Sequence, residues 1–461
     1  MSKPKVSLVT KAKNVVLKYP KEFIIDSYNN LYCKTCKVTV KCDKEYYVET
    51  HRSSQKHTRL SGSMVNQPKL VAEKEVQGIG FPERVTKAFL SANIALKKLQ
   101  NKELKSLFLS MGHPLPSETT CRNQVEKIYM QQIEKIKKII EGKQVFVVFD
   151  ESSIRLDAYA NILIGAIDKP EISYLVECKA LTANLNAAGV CQIINDVLTN
   201  MNIARENFAL FLSDAARYMT AAFSGLKMFY PNLVHVTCLA HLLHNCCMRI
   251  RGYFQDVDQL ISSIKAATIK NKERRALFKE MNIDFPPEPV LTRWGSWLNA
   301  ALYYSENLVK VKAIFDKIEG NGILVKNAKK ALESPTLVKS ICSISSNYKC
   351  LSDKVSQLES STLGIKEAFK KVTELEFGDD LVGINDYIQK RLDKNGIREI
   401  VEMSDPNISP DTYAKLQDCQ ATSCCVERSF SMLSKLLEKD RNFKRENLKF
   451  YLIVKYNSNI L

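Results

Sequence analysis

Two sets of residues in this 461-residue chain have the types and spacing to hold metal. The first is Cys33-x2-Cys36-x14-His51-x5-His57. Two thiolates and two imidazoles make a tetrahedral donor set that zinc fills in preference to hard cations. Cys42 lies inside the loop but off the spacing, and is read as a bystander. The second set is acidic. Asp150 follows the apolar run QVFVVF, Asp214 follows FALFL and Ser213, and Glu427 sits in SCCVERSFS, residues 423–431. A carboxylate at the tip of a buried strand packs poorly and is well placed to hold a divalent cation. Carboxylates gathered in one cleft repel unless a cation offsets their charge. Two such aspartates and a helical glutamate are the donors that two-metal cleavage of a phosphodiester needs, with Mg²⁺ or Mn²⁺ as the ion. The competing reading is an α/β core with ordinary acidic residues at its strand ends.

The elements that must position these groups follow from hydrophobic spacing. Val38 to Val40 suits a short strand, and Tyr46 to Leu60 a helix that carries both histidines on one face. Val85 to Phe108 and Val125 to Ile140 repeat apolar residues at helical steps, separated by the breaker Gly112-His113-Pro114-Leu115-Pro116. From Gln144 the pattern changes to short runs. Three strands, a helix (188–201), a strand, a helix (219–229) and a strand (233–236) are expected. Pattern alone makes this α/β. Residues 249–416 read as helices with breaks at Phe285-Pro286-Pro287-Glu288-Pro289 and Ser404-Asp405-Pro406. No phosphate loop completes Gly78-Ile79-Gly80.

The net charge is +17, and residues 1–62 hold thirteen Lys/Arg against five Asp/Glu. A polyanionic partner is expected, DNA first among them. Lys34, Lys37, Lys41, Arg52, Lys56 and Arg59 surround the Cys/His set and can neutralise phosphates, which adds affinity rather than sequence information. The opening residues lack the apolar core of a secretion signal, and no run reaches the ~18 apolar residues of a membrane span. Fourteen cysteines are then expected as reduced thiols and metal ligands. An intracellular, nuclear protein that acts on no small-molecule substrate is the expectation.

In order, the Asp150, Asp214 and SCCVERSFS segments resemble the motifs of hAT-family transposases. Cys238-Leu239-Ala240-His241 is similar to the family's Cys-x2-His motif, and Arg293-Trp294 to its Arg-Trp pair. The resemblance spans about residues 29–461 and implies an RNase H-like catalytic domain interrupted by a helical insertion. The expected division is a basic tail (1–28), a C2H2/BED-like zinc finger (29–62), and a linker with a helical DNA-binding and dimerisation region (63–143). The first part of the catalytic domain (144–247), the insertion (248–416), and the catalytic helix with a C-terminal dimerisation region (417–461) complete it.

On this resemblance Asp150, Asp214 and Glu427 are catalytic ligands of Mg²⁺ or Mn²⁺, and Cys238 and His241 shape the site. Arg293 and Trp294 would handle a distorted duplex; packing is the competing role for Trp294, and the core for Trp297. The stripe Phe430, Leu433, Leu436, Leu448, Tyr451 and Leu452 would supply a dimer surface, though an internal core helix shows the same stripe. The implied activity is cleavage and joining of DNA at element ends. Ser152 and Ala215 depart from the family's residues beside the aspartates, which favours the rival, a domesticated, inactive DNA-binding regulator.

Overall fold

Apolar residues fill both faces of the strand that begins at Val145, so it must lie in the middle of a sheet covered on two sides. The structure is a computed structural model that describes residues 7–26, 28–58, 80–290, 295–319, 322–360, 363–437 and 445–461. It divides into two units, 1–79 and 80–461.

In the first unit a helix (Leu8–Lys18) precedes three short antiparallel strands, β1 (Phe23–Ile25), β2 (Leu31–Cys33) and β3 (Val38–Thr39), and a helix Glu45–Arg52. Residues 7–26, expected within a basic tail, are therefore folded. The Leu8–Lys18 helix, N-capped by Ser7, buries Ala12 in the same small core as Phe23, Leu31 and Val48. The two histidines do not share one helix as expected. Six residues advance a helix by roughly 600°, which would turn His57 away from His51. The chain instead breaks at Ser53, and Ser54 Oγ accepts the His57 N–H at 3.3 Å to start a new turn. The expected linker lies mostly outside the described residues.

The second unit is mixed α/β. Its sheet runs β4 (Val145–Ile154), β5 (Asp157–Ala166), β6 (Tyr174–Leu181), β7 (Phe208–Ser213) and β8 (Val234–Thr237) in the order β6-β5-β4-β7-β8. β4, β5 and β6 are antiparallel hairpin neighbours, whereas β7 and β8 run parallel to β4. The parallel strands need helical crossovers. Ala187–Asn200 and Arg217–Lys227 supply them, packed on each other. Among the described residues every element from Leu239 to Leu436 is helical apart from one isolated bridge.

Two expectations about this unit change. The helices of 81–140 form no separate region: Glu118–Ile140 packs on Arg445–Asn457, and the core is shared. The stripe on the last two helices is also spent internally. Cys424–Leu436 packs on β4 and β5, Arg445–Asn457 packs on β6, and Phe430, Leu433, Leu448 and Leu452 are all buried. These side chains are therefore not free to form the expected dimer surface.

One close approach ties the helical region to the sheet. Gly396 N–H donates to His235 O at 3.1 Å, and a Cβ at Gly396 would stand 2.2 Å from that oxygen. Gly396→Ala is expected to cost about 1–3 kcal/mol by forcing the segment off β8. The shift would appear in the midpoint of denaturant unfolding.

Candidate metal centres

In the first unit, β2 and the turn after it deliver Cys33 and Cys36, and Glu45–Arg52 with the following turn delivers the histidines. The four ligand atoms lie within 4.8 Å of one another. His57 Nδ1 is 3.5 Å from Cys33 Sγ and 3.3 Å from Cys36 Sγ. Tetrahedral zinc, with Zn–S near 2.3 Å and Zn–N near 2.0 Å, places sulfur and nitrogen roughly 3.5 Å apart. His51 Nε2 is buried with no hydrogen-bond partner, a cost that a ligand bond removes. Burial, with His57 adding, lowers the His51 pKa and keeps the ring in the neutral form that binds metal. Cys33, Cys36, His51 and His57 thus form a Cys2His2 cluster able to hold a structural metal such as zinc.

Sequence reasoning missed the partner behind this cluster. His57 Nε2 lies 3.3 Å from Glu22 Oε2, and Arg52 holds both Glu22 oxygens at 2.8 and 3.0 Å. A carboxylate on the far nitrogen fixes the tautomer that points Nδ1 at the metal. Arg52, expected among the phosphate contacts, is engaged in this network and stacks on Tyr19 at 3.8 Å. Lys34, Lys37, Lys41 and Lys56 are exposed. Arg59, Arg293 and Trp294 lie outside the described residues. Trp297 is core, its Nε1 donating to Asp258 at 2.8 Å.

In the second unit Asp150 is not at a strand tip. β4 continues beside β5 to the pair Ile154↔Asp157. The parallel pairing with β7 stops at Val148↔Leu212, so Asp150 stands where the sheet opens on that side only. Glu427, in the first turn of Cys424–Leu436, is brought there by a buried latch. Asn161, opposite Asp150 in register, donates through Nδ2 to Ser429 Oγ at 2.7 Å. A second latch joins the helix starts: Ser423 N–H donates to Cys238 Sγ at 3.2 Å and Leu239 N–H to Ala421 O at 3.1 Å.

Asp150, Glu427 and His241 bring ligand atoms within 4.8 Å of one another, and His241 Nε2 is 3.9 Å from Glu427 Oε1. Asp214 is outside that set. Its Oδ1 accepts the Ala216 N–H at 3.1 Å, and its charge still reaches Asp150. Burial raises the Asp150 carboxyl well above the usual range, Glu427 and Asp214 add to it, and His241 opposes. Burial alone would depress His241, but Cys238, Asp150 and Glu427 carry it up to about 10. Burial would likewise raise the Cys238 thiol, yet His241 and the Ser423 bonds bring it below its ordinary value. Asp150, buried, and Glu427, half-buried, converge as hard oxygen donors that fit a divalent cation, with the protonated His241 beside them offsetting part of their charge in its absence.

Next to Asp214, His235 is buried between Phe211 and Phe223, ring centroids 5.0 and 5.1 Å away, with Nε2 2.9 Å from Ser213 Oγ. Burial lowers its pKa to about 4. A depressed folded value means the contribution is complete above the unfolded pKa near 6.5 and is lost as pH falls toward 4 and below. The depression corresponds to about 3 kcal/mol. His235→Gln is therefore expected to flatten the fall in unfolding free energy between pH 6.5 and 4.

Among the described residues no helix is long and apolar enough to cross a membrane. The chain matches no protein-family model and no curated protein.

Proposed function

We propose that this protein is a metal-dependent DNA-cleaving and DNA-joining enzyme of the hAT transposase type, with an RNase H-like catalytic domain, acting in the nucleus as an oligomer. The observation that carries the reading is the convergence of Asp150 and Glu427, 277 positions apart in sequence, at the open side of β4, with Asp214 at the end of the neighbouring parallel strand. The strand order and mixed directions agree with it, as do the net positive charge and the Cys2His2 cluster in the more basic unit.

Asp150 and Glu427 would hold Mg²⁺ or Mn²⁺, with Asp214 at the rim and His241 as their cationic neighbour. The bound ion would supply an activated water and charge stabilisation at phosphorus. The chain's own part is positional. Asn161 and Ser429 fix the helix that presents Glu427, and Cys238 and Ser423 keep His241 facing the carboxylates. Zinc at Cys33, Cys36, His51 and His57 would make the first unit a DNA-binding finger, with Lys34, Lys37, Lys41 and Lys56 contacting phosphates.

The rival is an inactive DNA-binding regulator, favoured by the substituted neighbours Ser152 and Ala215. Nicking of DNA that the protein itself selects, in Mn²⁺, separates the two. Cleavage by the natural chain that Glu427→Gln abolishes, with binding kept, supports the enzyme. Equal tight binding by both proteins without nicking supports the regulator.

A further inference from the structure

Beside the acidic centre lies a cavity of about 260 Å³ lined by residues of both charges. Asp214, Cys238 and His241 line it from the acidic centre, and Tyr387 and Arg391 from the helical region. Tyr387 and Arg391 are one turn apart on the helix Ile384–Leu392 and so share a face. The Arg391 guanidinium lies 5.3 Å from the centroid of the Tyr387 ring. Arg249, from the helix Leu239–Tyr253, lies 4.6 Å from the same centroid. One aromatic ring thus braces two exposed guanidiniums from two helices, and the ion pairs of the described residues include neither.

Buried hydrogen bonds mount this group on the sheet. Three residues past the helix, Asn395 is buried and its side-chain amide is fully used on β8. Its Oδ1 accepts the Thr237 N–H at 3.1 Å, and its Nδ2 donates to Thr237 O at 2.8 Å and Oγ1 at 2.7 Å. With the Gly396 bond to His235, this pins the Tyr387 helix to the strand that leads directly into Cys238 and His241. Arg391 lines the cavity, and Arg249 shares its aromatic brace; two cations on one ring repel each other. The arrangement becomes favourable when an anion sits between them, and planar guanidiniums match phosphate oxygens in pairs.

We infer that Arg249 and Arg391, braced by Tyr387, clamp the phosphodiester backbone of the nucleic-acid strand entering the acidic centre. The inference rests on the cleavage reading above for what the strand is doing there. The clamp reads no bases; it places the strand and contributes a salt-dependent share of affinity. Arg249, Arg391 and Tyr387 are positioning residues that hold the strand and take no part in the bond change.

The test uses the full chain carrying Glu427→Gln, Mn²⁺, and a short fluorescent single-stranded oligonucleotide titrated across a range of salt. Arg249→Gln and Arg391→Gln are each expected to weaken binding about tenfold and to reduce the slope of log affinity against log salt by about 0.7. Arg391→Lys should keep the slope and recover only part of the affinity, because an ammonium lacks the paired geometry. With Glu427 intact, Arg391→Gln should raise KM for cleavage and leave kcat within a few-fold. Unchanged affinity and slope in both glutamine variants would overturn the clamp. A reduced slope in a protein that shows no cleavage with any divalent cation would keep the clamp and remove the cleavage reading. Normal cleavage with an unaltered slope would do the reverse.

Discussion

Removal of the zinc proposed for the Cys2His2 cluster, by chelator or by Cys36→Ser, is expected to unfold residues 7–58 while the unit 80–461 keeps its own thermal transition. The first unit buries few apolar side chains, chiefly Ala12, Phe23, Leu31, Val40 and Val48 beside the two cysteines. Domains this small seldom hold together by hydrophobic burial alone. A structural Cys2His2 zinc site contributes on the order of 10–16 kcal/mol near neutral pH, which exceeds the whole stability of such a core. Metal-free, the unit would also retain the cost of the unpartnered His51 Nε2 and of two buried thiols held together. The measurement is limited proteolysis with mass mapping, beside metal content by atomic emission. New cleavage confined to the first unit, and zinc falling from one per chain to none, is the expected result. Cys42→Ser should change neither, since Cys42 lies outside the Cys2His2 set. A first unit that stays protected without metal would show that its fold does not depend on the cluster.

Asp150→Asn is expected to reduce Mn²⁺-dependent DNA cleavage by at least about 10³-fold, the order seen when one group aimed at developing charge is removed. The same change should raise the thermal midpoint of the metal-free protein at neutral pH. The sign follows from linkage. Asp150 has a raised folded pKa, so its contribution is most favourable below the unfolded carboxyl pKa and is lost as pH rises through the folded one. Near pH 7 the metal-free protein carries that penalty, and the neutral amide removes it. Mn²⁺ at a hundredfold excess over its dissociation constant should stabilise the natural chain by about 2.7 kcal/mol. Asp150→Asn should abolish most of that increment, and Glu427→Gln much of it. Asp214→Asn should lose less metal-dependent stability than either, because Asp214 lies outside the group of converging ligand atoms. Calorimetry with and without Mn²⁺ reads all four proteins. An Asp150→Asn variant that still gains the full increment would place the cation elsewhere.

Legibility divided along a physical line. Short-range constraints were readable. A Cys-x2-Cys turn and two histidines have few ways to serve one ion, and a run such as QVFVVF must sit in a covered sheet because no other element buries both faces. The succession of strands and helices along the chain and the helical nature of 249–416 followed from the same periodicities. Errors arose where a neighbour decided the outcome. Asp150 ends an apolar run, yet its strand continues because β5 pairs alongside as far as Ile154. The stripe on the last two helices has the same period whether it faces a partner or β4, β5 and β6, and only packing shows that it is spent inside.

The residues that finish the site left no trace in the pattern. Glu22 behind His57, Asn161 beneath Ser429, and Asn395 under the Tyr387 helix are single polar groups whose partners lie up to 268 positions away. Sequence by itself determined the donor sets, the sheet and the charge, because residue type and spacing act over a few bonds or one helical turn. Tertiary structure alone decided which donors converge, which histidine faces the carboxylates and which arginines share the Tyr387 ring. Those outcomes depend on hydrogen bonds and van der Waals contacts only a few ångströms long, made between segments that the chain order does not bring together.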